Sequence, residues 1–196
     1  MTAVASFPRA DTSSRPSTTV FVVAVVGCVL LASRPALVAL TGQAIPTLVV
    51  LFVALLVFGV VLLPDARESL FAPRRLSVLV PLAFGIGVFA LGRVTSAGAA
   101  PGSLSTVVVA TNVLAAVAEE AWFRRLWFAL LEPAGPVAAI GGTSVLFALV
   151  HVATYGMWVL PLDLAAGLLL GWQRHATGSW YVPACTHAIA NLLVLL

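Results

Sequence analysis

Long apolar runs separated by short polar breaks make up most of this chain, and their lengths are those of membrane helices rather than of strands. The runs cover residues 18–40, 46–63, 76–92, 104–131, 137–155, 157–172 and 180–196. Crossing the hydrocarbon of a bilayer takes about 20 apolar residues as a helix, so the pattern predicts about seven transmembrane spans. The breaks fall where helices stop. Ser33-Arg34-Pro35 interrupts the first run and predicts a kink, because proline withholds a backbone donor. Residues 64–75 form a loop with Asp65, Arg67, Glu68, Arg74 and Arg75, and residues 93–103 a loop rich in Gly, Ala and Pro. Glu132-Pro133-Ala134-Gly135-Pro136 ends the fourth run. Residues 1–17 are polar, carry Pro8 and Pro16, and read as a disordered tail. A cleaved signal peptide ending near Ala44 is the poorer reading, since a second span follows at once. The expected fold is all-α, a polytopic transmembrane bundle with residues 18–103 as about three N-terminal spans and residues 104–196 as the remainder.

Composition fixes the class. The chain is 61% hydrophobic and 9% charged, with a mean hydropathy of +1.11, well outside the range of soluble domains. Its 196 residues suit one helical membrane domain. The pI near 9.5 does not point to nucleic acid, because the arginines are scattered over the breaks instead of forming a patch. They serve instead as topology markers. In the seven-span arrangement Arg9, Arg15, Arg67, Arg74, Arg75, Arg124, Arg125 and Arg174 share one side, and Arg34 and Arg93 the other. That bias puts the N-terminus in the cytoplasm and the C-terminus outside. All ten basic residues are Arg, and with the wealth of Ala, Val and Leu this suggests GC-rich bacterial coding and hence a bacterial plasma membrane. Cys28 and Cys185 stand far apart in apolar sequence and read as small buried hydrophobes, not as a disulfide or metal pair.

Within this hydrocarbon one stretch stands out, Glu119-Glu120-Ala121-Trp122-Phe123-Arg124-Arg125, with four charges in seven residues. Each charge near a bilayer centre costs roughly 2.5–3.5 kcal/mol on insertion scales, so the cluster is kept where it has partners or work. A helix end at the headgroups, with both arginines snorkelling to phosphate, is the plain alternative. Glu120 and Arg124 are four apart and share a helix face, which predicts an ion pair. Glu119 lies about 100° round the helix and is left freer for chemistry. Later spans hold further polar residues: Phe147 with His151, and His187 with Asn191, each pair four apart on one face. Either histidine also suits a plain helix–helix hydrogen bond. Asp163, after Pro161, reads as a helix cap, and His175 beside Arg174 as solvated in a loop.

Taken in order, EEAWFR, FALVH and HAIAN resemble the three motifs of the CPBP family of intramembrane proteases, EExxxR, FxxxH and HxxxN. This family holds the type II CAAX prenyl proteases and the bacteriocin-processing, Abi-type proteins. The run Gly171-Trp172, Thr177-Gly178-Ser179-Trp180, Pro183, His187 is also family-like, and the resemblance covers residues 104–196. Arg125 departs from it, standing where many members have a small residue. The resemblance implies a glutamate-dependent endopeptidase acting on a membrane-anchored peptide, CAAX-like or of bacteriocin type. Glu119 and His151 would activate a water, and His187 with Asn191 would form the oxyanion hole. Glu120 and Arg124 would support Glu119, and Phe147 would pack beside the site. A zinc version would use Glu119, His151 and His187 as ligands, although the HExxH helix of soluble zinc proteases is absent. Two readings from other classes compete, a non-proteolytic immunity or binding protein on the same scaffold and a small proton-coupled carrier. The lack of an internal repeat speaks against the carrier.

Overall fold

The computed structural model describes residues 17–63, 77–95 and 105–195. The tail and the charged loop at 64–75 therefore lie almost wholly outside the described residues. What is described is helical, without strands. The first apolar run is two helices, α1 (Thr18–Ala32) and α2 (Arg34–Thr41), bent by 63° at the predicted break. Ser17 caps α1, its side chain accepting from the Val20 N–H at 3.3 Å. The next runs form α3 (Ala44–Val61) and α4 (Leu79–Thr95). The fourth run is one long helix, Thr106–Ala134, that changes pitch along its length. It comprises α5 (Thr106–Glu120), a π-helical segment (Ala121–Trp127), α6 (Phe128–Leu131) and a 3-10 turn (Glu132–Ala134). Then come α7 (Pro136–Tyr155), a 3-10 turn (Met157–Val159), α8 (Leu160–Thr177) and α9 (Tyr181–Leu195). Each of the seven predicted runs thus forms a helix, the first one broken. By length and apolarity alone, three of them, α3, the long helix and α7, suffice to cross a membrane. The bent α1–α2 pair makes a fourth, while α4 and α9 are shorter apolar helices.

The bundle is apolar outside, as a protein solvated by lipid should be, and buries charged and polar side chains within an apolar core. Val50, Val57, Leu79, Leu91 and Val194 are exposed on its surface. Its interior instead holds Glu119, Glu120, Arg124, Arg125, Gln173 and Arg174. Every residue of the π segment, Ala121–Trp127, is buried, so this length of helix is enclosed by protein all round. Two glycines permit close approaches between helices, the first of them against this segment. A Cβ on Gly59 of α3 would lie 3.0 Å from the Ala121 carbonyl oxygen, and one on Gly167 of α8 would lie 2.9 Å from Ser144 Cα of α7.

Several residues expected at the surface are structural. Arg125 donates from Nη1 to the Gly59 carbonyl at 2.6 Å and from Nη2 to that of Leu63 at 2.7 Å. These carbonyls belong to the end of α3, where backbone acceptors have no helical partner and favour a cation. The long side chain at this position thus fastens α3 to the π segment. Arg174 donates from Nε to the Arg124 carbonyl at 2.9 Å, bonds the Gly178 carbonyl, and stacks on the Phe128 ring. Arg34, Arg124, Arg125 and Arg174 are all buried, so four arginines used above as topology markers lie inside the bundle. His175 lies on α8, half-buried, and not in a solvated loop. Cys185 is exposed on α9, where the apolar outer face accepts a small thiol as readily as the core does.

Candidate active site

α5, α7 and α9 bring the three sequence motifs to one place. Glu119 is the next-to-last residue of α5, and its Oε2 faces two imidazoles. His151 Nε2 lies 3.7 Å away and His187 Nε2 4.0 Å away. Both separations exceed a direct hydrogen bond. All three residues are more than nine-tenths buried.

The outer atoms of each ring fix its role. His151 Nδ1 is 2.7 Å from the Phe147 carbonyl, one turn back on α7. A carbonyl only accepts, so Nδ1 carries the proton, and in the neutral ring Nε2 presents a lone pair toward Glu119. Asp163 of α8 reinforces this from 3.6 Å on the same Nδ1. His187 Nδ1 is 2.9 Å from Glu120 Oε1, which also accepts from Arg124 Nη1 at 3.2 Å. The predicted Glu120–Arg124 pair is present, and Glu120 additionally orients His187. Arg124 spends Nη2 on the Gly167 carbonyl at 3.1 Å, tying this pair to α8. Its guanidinium lies 4.6 Å from the Phe147 ring centre, and that ring stands 4.6 Å from His151 and 5.6 Å from His187. Phe147 is thus an apolar plate between the two histidines and the cation.

Two predicted features differ. Glu119 is not free of partners, because Arg34, from the bend between α1 and α2, donates from Nη1 to its Oε1 at 3.1 Å. Arg34 Nε in turn donates to Thr154 Oγ1 at 2.9 Å, and its guanidinium lies 5.6 Å from the Tyr155 ring. Asn191, one turn along α9 from His187, gives its amide to the Asn112 carbonyl of α5 at 3.3 Å. It ties α9 to α5, and no hydrogen bond joins it to the Glu119 group among the described residues. Asp163, read as a cap, and Arg34, read as a topology marker, are the residues that sequence reasoning left out. The cost of burying charge flagged the Glu119 cluster, and the same test applied to Arg34 and Asp163 inside their apolar runs would have found both.

Fold and site define the class, an integral membrane helix bundle with carboxylates and imidazoles gathered in its interior. Residues 101–193 match the family described as type II CAAX prenyl endopeptidase, Rce1-like. This part of the chain is a domain of that protease family, in keeping with the CPBP intramembrane proteases, and it contains α5 to α9 without α1 to α4. No curated protein and no solved structure matches the chain.

Proposed function

We propose that the protein is an intramembrane endopeptidase that hydrolyses a peptide bond close to the lipid anchor of a prenylated, CAAX-type peptide, with Glu119 as general base. One observation carries the reading: Glu119 Oε2 and His151 Nε2 are two acceptors facing each other at 3.7 Å. Two facing acceptors call for a molecule that donates twice, and water is the smallest. A water giving one hydrogen to each turns its oxygen lone pairs outward, toward a substrate carbonyl. As that oxygen bonds to the carbonyl carbon, its proton passes to Glu119 and the carbonyl electrons move onto oxygen. Collapse of this oxyanion breaks the C–N bond. The proton on Glu119 then goes to the departing amine, leaving a carboxylic acid and a free amine. Exposed Thr154 and Tyr155 border this group of residues, so the bundle surface there is the side from which a lipid-borne peptide would approach.

Zinc held by Glu119, His151 and His187 would supply a Lewis acid to the same bond. Among the described residues no three His, Cys, Asp or Glu side chains are arranged to hold a metal ion, and Glu119 Oε1 already bears the Arg34 charge. Both observations speak against the metal reading, and no step passes through a metal. In proteoliposomes the purified protein should cut a quenched S-farnesylated CAAX peptide at a single bond and continue to do so in a zinc chelator. Absence of cleavage would contradict the activity, and loss in chelator restored by zinc would contradict the metal-free route.

A further inference from the structure

The reaction needs donors for its oxyanion, and the observed hydrogen bonds redistribute that work. Asn191 uses one of its two amide N–H groups on the Asn112 carbonyl. His187 gives Nδ1–H to Glu120, so it can donate from Nε2 at the same time only as the imidazolium. Arg34 has no such restriction. A guanidinium has five N–H groups in a rigid plane and keeps its charge throughout. Nε is used on Thr154 and Nη1 on Glu119, while Nη2 is buried and has no hydrogen-bond partner among the described residues. An unpaired buried donor on a cation is costly, and such a group persists where it has a use. Nη2 belongs to the same fixed plane as the nitrogen bound to Glu119, so it stands beside the carboxylate that activates the water.

We propose that Arg34, from the α1–α2 bend and outside the segment that matches the protease family, is a catalytic residue whose Nη2 donates to the oxyanion. This rests on the peptidase reading above. Its Nη1 and Nε bonds hold the fork in place before substrate arrives, so the donor is already oriented when charge develops. Donation is weak to the neutral carbonyl of bound substrate and strong to the oxyanion, which makes the contribution specific to the transition state.

The test separates donation from anchoring of Glu119 by removing the carboxylate first. The probes are the S-farnesyl peptide itself and its phosphinate analogue, in which –PO₂–CH₂– replaces the scissile amide. Glu119→Gln should bind both. Adding Arg34→Gln should weaken the analogue by about 10²–10³-fold, the usual worth of one oxyanion donor, and leave the peptide within about twofold. Arg34→Lys in the same background should show a loss in the same direction. An ammonium has one nitrogen and cannot hold Thr154 and the oxyanion together, so this variant carries the comparison if the glutamine one does not fold. Equal affinities for the analogue with and without Arg34, or an equal loss for both probes, would overturn the role while leaving the peptidase reading intact. A wild-type protein that neither cleaves the peptide nor binds the analogue would overturn both.

Discussion

Glu120, Arg124 and His187 show how single residues are kept in an apolar interior. Glu120 Oε1 accepts from Arg124 and from His187, so one carboxylate balances one cation and orients one ring. Removing either partner leaves charge buried without compensation, typically a loss of about 3–5 kcal/mol for a buried pair. His151 and Asn191 hold comparable places in their motifs and differ in their contacts. His151 faces the Glu119 oxygen that we assign to the water, whereas Asn191 gives an amide N–H to a backbone carbonyl of α5. His151→Ala should therefore lower the cleavage rate by about 10²-fold or more, in the range for losing a group that positions the proton transfer. Asn191→Ala should lower it by less than about tenfold, since a long backbone hydrogen bond is worth about 1 kcal/mol. Rates of the two variants at saturating peptide decide this, and an Asn191→Ala loss as deep as that of His151→Ala would return the amide to the oxyanion hole. The Glu120–Arg124 spacing could be read from sequence because it is set within one helix. The Arg34–Glu119 contact joins residues 85 apart, and no helical period encodes it.

At the scale of elements, the positions of the helices were legible because each apolar run is bounded by residues that stop helices. The kink at Ser33-Arg34-Pro35 followed from Pro35 in the same way. The π segment was not legible, since Ala121–Trp127 contains no residue that marks a change of pitch. Such segments recur at functional sites. Here it begins directly after the two glutamates and is enclosed on every side, with Arg125 and Gly59 clamping α3 onto it. Gly59→Ala would bring a methyl to 3.0 Å of the Ala121 carbonyl oxygen and must push the two backbones apart. It should cost about 1–3 kcal/mol, as overpacking does, and lower the thermal midpoint in detergent. Gly87→Ala on α4 meets nothing within 4 Å and is the control. It should be neutral or stabilise by up to about 1 kcal/mol through helix propensity. Equal midpoints for the two variants would mean that the close α3 contact does not hold the π segment.

At the scale of the whole molecule, the site is built from both halves of the chain. The segment that matches the protease family supplies Glu119, His151, Asp163 and His187, and the N-terminal helices supply Arg34. Its polar residues were legible because charge in hydrocarbon is conspicuous, and their motifs gave the order. Their convergence depended on how α7, α8 and α9 pack, which a linear pattern does not contain. Four buried arginines likewise served as topology markers until the packing gave each an internal partner. The account stands on Glu119, among the described residues the one carboxylate whose oxygen faces both imidazoles. The direct measurement is the rate at which Glu119→Gln in proteoliposomes cuts the S-farnesylated peptide, beside wild type and with the thermal midpoint recorded for each. Glutamine keeps an oxygen for Arg34 but takes no proton, so the rate should fall by about 10²–10⁴-fold or more, with the midpoint and peptide binding largely retained. A Glu119→Gln protein that cleaves at the wild-type rate would contradict the assignment of Glu119 as the base.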